Sequence, residues 1–427
     1  MAVPNNILQT VQTYQKAELA WLLNSFCGIK LANKKFQKFN DLTANLGDIV
    51  TFDLPPRYIG YNGLVITQQQ SQQRVQPLVC SQATNVSSGY TDQQFIFNVR
   101  DYMDRFGEAA MKELGSIIEQ DIWKNIVTGV VINDPQNSNF GSAQTNSGPY
   151  RFYGDGVTQI NSFGQLAQAV ANFEDFGCAK NKMRGVLPVT VVPGIVNTGL
   201  QQFVMNRNEK MAMSWELGRF ANTDWYESNL LPIHVSGTLG QAGTTLTLVS
   251  VDSTGTQLTF SGAGTDANAL KIGDMGQFQD GVSGQPNMRF LHFIGHSVSA
   301  QPVQFVVTAN AASSAGTVVM TIQPPLISAA GPNQNINNAL AAGMQVKLLP
   351  SHRAGVLYSG DQFYLAMPQL PDQSPFTTVN TMDKDSGASI RHYFGSQFGQ
   401  NNRAYVRDSI WGSTMVMDNA MRLVFPL

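Results

Sequence analysis

His292 and His296 are the only two histidines close enough in sequence to share a task, in His292-Phe293-Ile294-Gly295-His296. On a helix, side chains four apart share a face and could hold one metal ion. This segment carries a glycine and lies in a β-rich stretch. On a strand the same spacing puts the rings about 13 Å apart, too far to share an ion. They read as structural polar residues. His234, His352 and His392 stand alone in sequence and read as packing or surface histidines. Asp224 with Glu227, and Asp383 with Asp385, are the acidic pairs that acid–base chemistry could use. Neither pair has a companion nucleophile or ligand nearby, so turn and cap roles are expected.

Cys27, Cys80 and Cys178 are widely spaced, odd in number and free of any Cys-x-x-Cys. Free, buried or half-buried thiols in a reducing compartment are expected, not a disulfide framework or zinc cage. Phe163, Phe173 and Phe176 fall on one expected helix and read as core, not as a stacking platform for bases. Asn85-Val86-Ser87 is a formal glycosylation sequon, without weight in a chain whose start does not read as a secretory signal. The sequence contains no Gly-x4-Gly-Lys-Ser/Thr loop, no strand–GxGxxG–helix unit and no Gly-x-Ser-x-Gly elbow. No catalytic, cofactor-binding or metal-ligating residue is assigned, and no cofactor is expected. A structural role is favoured over a catalytic one.

The bulk properties agree. The chain has 427 residues with 27 Lys+Arg against 29 Asp+Glu, a formal net charge of −2. A protein built to grip nucleic acid would carry a basic excess. Only 13% of residues are charged, where about a quarter is usual. Instead, 36 Gln and 33 Asn supply the polarity, which suits a surface covered by neighbours. No apolar run reaches the ~18 residues a bilayer span needs, and a cytoplasmic product is expected.

The elements that would carry these residues change along the chain. Residues 1–45 read as a helical arm, with Ile7, Val11, Tyr14, Leu19, Leu22 and Leu23 at roughly helical spacing. Lys30, Lys34, Lys35 and Lys38 follow, as a solvated helix end or a contact for an acidic partner. Over 46–99, Ile49–Phe52, Val75–Val79 and Phe95–Phe97 read as short strands around a Gln run at 68–73, together a long two-stranded projection. Such a hairpin is marginal alone and needs something to lie on. Residues 102–128 predict a long helix through Tyr102, Phe106, Leu114, Ile118, Ile122 and Ile126, stopped at Gly129. At 1.5 Å per residue it would run about 40 Å, as a spine. An Asn/Ser/Gly-rich loop over 130–160 leads to an α/β-like region. There a helix is expected at Phe163–Phe176, a strand at Val189–Val192 and a helix at Val196–Met205.

At about residue 234 the composition shifts. Residues 234–349 hold only seven charged residues, Asp252, Asp266, Lys271, Asp274, Asp280, Arg289 and Lys347. Short strands such as Thr245–Leu248, Val303–Thr308 and Thr317–Ile322 alternate with Gly/Ser/Asn turns, predicting a small all-β barrel or sandwich. Ala354–Tyr358 and Met421–Phe425 then resume the mixed style. The fold class expected is α+β, with a β module inserted inside an α/β domain.

This order resembles the tailed-bacteriophage major capsid proteins of the Hong Kong 97-like fold. The insert is similar to that of the short-tailed Salmonella-type phage coat family, through Lys271-Ile272-Gly273-Asp274 before a strand and Ile322-Gln323-Pro324-Pro325 closing one. Trp225-Tyr226-Glu227-Ser228-Asn229, His352-Arg353-Ala354-Gly355-Val356, Ser389-Ile390-Arg391 and Arg407-Asp408-Ser409-Ile410-Trp411-Gly412 match the flanks and the closing segment. The resemblance implies an arm at 1–45, an extended β loop at 46–99, and a peripheral domain at 100–160 with the spine helix at 102–128. It implies an axial α/β domain beginning at 161–233, an inserted β-barrel at 234–349, and an axial return with a C-terminal peripheral strand at 350–427. The implied function is that of a non-enzymatic shell subunit, assembled in the host bacterial cytoplasm and residing in the virion capsid. Its implied partners are further copies in hexamers and pentamers, a scaffolding protein, a portal protein at one vertex, decoration proteins and packaged double-stranded DNA bound without sequence preference; no membrane is implied. Relatives can carry a longer charged loop in the insert for two-fold contacts. Here the turn is Asp252-Ser253-Thr254-Gly255, short and nearly uncharged. A glycan-binding, decoration or tail protein using the β-rich insert is the alternative.

Overall fold

The computed structural model of the chain describes residues 19, 22, 27–33, 49–60, 64, 68, 74–80, 82–91, 107–128, 148–178, 182–200, 218–292, 295–360, 362–372, 376–382, 388–396 and 402–427. Of the arm, Leu19 and Leu22 are helical and buried, and Cys27–Leu31 forms helix α1. Lys34, Lys35 and Lys38 lie outside the described residues. Strands β1 (Ile49–Leu54) and β2 (Arg74–Val79) pair antiparallel as a two-stranded sheet, as the projection requires. Strand β3 (Gln82–Thr91) was not anticipated, while Phe95–Phe97 lies outside the described residues.

Helix α2 spans Glu108–Thr128, 21 residues, or about 31 Å. Leu114, Ile118, Ile122 and Ile126 recur at helical spacing and are buried, whereas Lys112, Glu113 and Gln120 face out. Tyr102, Phe106 and Gly129 lie outside the described residues.

Strand β4 (Phe152–Tyr153) precedes helix α3 (Phe163–Asp175), which begins where Ser162 accepts a hydrogen bond from the Gln165 amide. Phe163, Phe173 and Phe176 are core, as expected. The strand expected at Val189–Val192 is displaced. Strand β5 is Met183–Pro188, and helix α4 is Val192–Leu200. Residues 189–191 form a turn closed by the Val191 amide on the Pro188 carbonyl, 3.0 Å. Pro193 sits in the first helical turn, where its missing N–H costs nothing. That position for proline favours helix initiation over continued strand.

Strands β6 (Arg219–Phe220), β7 (Thr223–Ser228) and β8 (Ile233–His234) lead into the insert. There β9 (Thr245–Val251), β10 (Gln257–Ser261), β11 (Asp266–Leu270), β12 (Met275–Phe278), β13 (Arg289–Leu291), β14 (Val298–Pro302), β15 (Gln304–Val307), β16 (Ala311–Ser313), β17 (Thr317–Gln323) and β18 (Gln345–Leu348) follow. Six of them close an antiparallel barrel in the order β10-β17-β15-β12-β18-β9. Alternation fills it. Leu246, Leu248, Leu258, Phe260, Val318, Met320, Val346 and Leu348 are buried, and Phe278 meets Phe305 edge-on at 5.9 Å.

After the barrel come β19 (His352–Tyr358), β20 (Phe363–Ala366), β21 (Thr377–Met382), β22 (Ser389–Ser396), β23 (Asn402–Met415) and β24 (Ala420–Phe425). A seven-stranded mixed sheet runs β4-β24-β19-β5-β7-β6, with β8 also on β19. Val186, Ala354, Val356 and Tyr358 join the core of α1 and α2, while Leu187, Leu357 and Leu423 join that of α3 and α4. The sheet is therefore covered on both faces and mixes parallel with antiparallel neighbours, an α+β arrangement. A second sheet runs β20-β23-β22-β21 with β3 along β23. Among the described residues no helix is long and apolar enough to cross a membrane.

Candidate assembly surfaces and the neck of the barrel

Three places stand out: two where buried polar groups join separate elements, and one on the exposed surface. The first ties the arm down. Glu119 on α2 is 1% exposed. Its carboxylate accepts from the Gly28 amide at 2.8 Å, the Trp123 indole Nε1 at 2.9 Å and the Ser228 hydroxyl at 3.3 Å. Burial raises its carboxyl above the ordinary range, and these donors oppose that shift. One carboxylate thus joins α1, α2 and β7. The Arg184 guanidinium donates to the Leu31 carbonyl at 3.0 Å, and Asn33 exchanges backbone bonds with Phe363 and Leu365. Cys27 beside this clamp is half-buried, and burial pushes its thiol up to about 12.

The second place is the neck through which the chain enters and leaves the barrel. β8 pairs with the start of β19, His234 opposite His352, with the ring centroids 5.4 Å apart. Asp274, from the Lys271–Asp274 turn, is fully buried. It accepts from the His234 Nε2 at 2.8 Å, the Lys271 amide at 2.8 Å and the Gly237 amide at 3.1 Å. Arg422 on β24 is also fully buried, and its Nη1 donates to the Gly273 carbonyl at 2.9 Å. Burial lowers its guanidinium to about 9. Sequence reading left His234 and His352 as isolated histidines. They meet because the barrel's two ends meet.

Further ties dock the insert on β4 and on the end of α3. The Gln304 amide pairs with both backbone groups of Phe152, at 2.9 and 3.1 Å, Ser299 donates to Asp175 at 2.6 Å, and Phe290 packs edge-on against Phe176 at 5.2 Å.

The third place is the outer surface. β9, β10 and β17 are adjacent and carry no charged residue, and Val249, Val251 and Val319 are exposed on them. In the neighbouring turn the Asp252 carboxylate accepts from the Thr256 and Gln257 amides, both at 2.8 Å, and from the Thr254 hydroxyl. These bonds hold its carboxyl below the usual range. The turn consumes its own charge. In the second sheet Arg391 and Asp408 form a two-pronged ion pair, one prong at 3.0 Å.

The residues with apparent chemistry scatter. His292 follows β13 and His296 precedes β14, the latter with φ +49°. Asp224 and Glu227 do not sit in a turn or cap, as expected from the sequence, but on strand β7, where Asp224 faces Arg219 across the β6–β7 pair. Asp383 and Asp385 lie outside the described residues. Cys80 and Cys178 are buried and not in a disulfide, and Asn85-Val86-Ser87 lies within β3. Among the described residues no three His, Cys, Asp or Glu side chains converge as a metal cage.

No protein-family model and no curated protein matches the chain. Among solved structures, the chain is similar to one from Mycobacterium phage Che8, at 8% identity and TM-score 0.42, covering 93% of this chain and 90% of that one. It is also similar to the capsid of Ralstonia phage GP4, at 10% identity and TM-score 0.41, covering 94% and 88%. A third is the mature capsid of bacteriophage PhiM1, at 9% identity and TM-score 0.37, covering 92% and 89%.

Proposed function

We propose that this chain is the structural shell subunit of a tailed double-stranded-DNA bacteriophage, a major capsid protein of the Hong Kong 97-like fold. One observation carries the reading: the order and nesting of its elements. An arm is clamped to a long helix, the helix lies on a mixed sheet, and that sheet is interrupted by a closed barrel whose entry and exit strands pair. This is the plan that the sequence motifs imply. In it, residues 1–45 are the arm, 46–99 the extended loop, and 100–160 the peripheral domain with its spine helix. Residues 161–233 and 350–427 are the axial domain and its return, around the insert at 234–349. The Salmonella-type phage coat family supplies the insert's likeness.

The physical chemistry supports assembly. The β1–β2 ribbon has two strands, and such ribbons hold poorly without a surface beneath them. At its base Leu78 and Cys80 pack against Ala366, and a neighbouring copy would support the rest. A sparsely charged surface lets copies approach without like-charge repulsion, and closed shells reuse one surface many times. The shell confines DNA without gripping it, so a net charge of −2 suffices. The self-satisfied Asp252 turn argues against two-fold contacts made through that loop. Hexamers and pentamers, a scaffolding protein, a portal at one vertex and decoration proteins complete the proposal. The role is assembly, without turnover or cofactor.

Negative-stain electron microscopy of the overexpressed chain, with and without the neighbouring gene products, tests it. Closed shells, or tubes and aberrant shells without a scaffold, are expected. A monomer under every condition would overturn it, and glycan arrays would then test the alternative use of the insert.

A further inference from the structure

The chain enters and leaves the barrel through a neck whose buried charges balance only while two histidines stay neutral. His352 Nδ1 lies 2.7 Å from the Pro350 carbonyl, which can only accept, so the proton sits on Nδ1 and Nε2 presents a lone pair. That Nε2 is buried and, among the described residues, has no hydrogen-bond partner. A proton added there would be a buried donor without an acceptor. His234 Nε2 already serves Asp274, whose other bonds come from amides. The charged groups reaching the two rings are Asp274 and Lys271 from the barrel turn, Arg422 from β24, and each ring itself. Arg422 and Asp274 cancel in the dry interior, and Lys271 is only half-buried. Protonating either imidazole leaves an uncompensated buried cation beside Arg422.

We infer that the neck is an acid-released latch: protonation of His234 and His352 parts β8 from β19 and frees the Lys271–Asp274 turn from Arg422, while barrel and sheet each stay folded. The direction of both imidazoles agrees. Burial first, then in His352 the Arg422 charge, pulls His352 down to about 3, and burial lowers His234. A group depressed when closed binds its proton more readily when open. Closure is therefore fully favoured above the ordinary histidine value and is lost as pH falls below it. From His352 alone the opening constant rises about tenfold per pH unit below about 6.5, roughly a hundredfold by pH 4.5. The latch stands on this chain's own geometry, so its failure and that of the shell reading are separate results.

The test is native-state hydrogen exchange on the full chain between pH 7 and 4.5, corrected for intrinsic rates. The amides of Gly237 and Lys271, which bond Asp274, should lose protection about a hundredfold or more. Those of Phe260 in the barrel and Val186 in the sheet should keep it. His352→Phe, which fills the same space and cannot titrate, should remove that hundredfold part. Asp274→Asn should open the neck at pH 7 by more than tenfold. Neck protection that ignores pH, a loss shared equally by barrel and sheet, or an unchanged profile in His352→Phe would each overturn the latch. If His352→Phe does not fold, the native profile and Asp274→Asn decide.

Discussion

Gly185 stands opposite Trp225 in the parallel β5–β7 pair. A Cβ at Gly185 would lie 2.3 Å from Cζ3 and 2.4 Å from Cε3 of the indole. Carbon atoms rest at about 3.5–4.0 Å, so the ring would have to retreat by about 1 Å or more. Trp225 is only 6% exposed, and its Nε1 donates to the Phe220 carbonyl at 3.2 Å. Overpacking costs about 1–3 kcal/mol, and a lost indole hydrogen bond adds about 1. Gly185→Ala should therefore destabilise the chain by about 2–4 kcal/mol. Gly60→Ala is the control, because a Cβ there meets nothing within 4 Å; it should change stability by no more than about 0.5 kcal/mol. Urea midpoints on the unassembled chain read both. Trp225→Leu should remove most of the Gly185→Ala penalty, so the double-mutant cycle should show strong coupling. A Gly185→Ala variant as stable as Gly60→Ala, or a penalty that persists without the indole, refutes the reasoning.

Other outcomes follow from the same geometry. Glu119→Ala strands three donors from three elements and should cost about 2–4 kcal/mol. Limited proteolysis should then cut the arm near α1 before the core, and an uncut arm would count against the clamp. Ser162→Ala removes the cap at the start of α3 and should cost about 1 kcal/mol in the same urea titration. Residues 234–349 expressed alone should show a β-type circular dichroism spectrum and a cooperative melt, because the barrel strands close on one another around buried side chains. A disordered spectrum would contradict this.

Local patterns were readable where a chain segment answers mainly to itself. The short strands between charge-poor turns predicted a β barrel or sandwich, and six strands between Thr245 and Leu348 close one; α3 ends within one residue of its expected limit because its apolar stripe and Ser162 cap are contiguous. Val189–Val192 misled because β-branched residues predict strand, while Pro188 and Pro193 decide the local geometry. Strand β3 escaped notice because its residues are polar. It owes its order to pairing with β23, more than three hundred residues away by sequence number. The neck was illegible for the same reason. His234, Asp274, His352 and Arg422 come from four separate segments, and no spacing rule connects them.

The pairing of β8 with β19 also bears on how such a chain could acquire or lose its insert. Ile233 and His234 already face Arg353 and His352 in register, so everything between them forms an excursion that starts and ends at one rung. Replacing that excursion with a tight turn would leave β8–β19 as an ordinary hairpin and every other strand of the central sheet in its place. Closing the long excursion in an unfolded chain costs on the order of 3 kcal/mol more than closing a turn of a few residues, since the penalty grows only with the logarithm of length. A barrel with the usual net domain stability of about 5–15 kcal/mol would offset that sum. Exchange of whole modules at this rung is therefore an easier evolutionary step than lengthening any loop within the sheet.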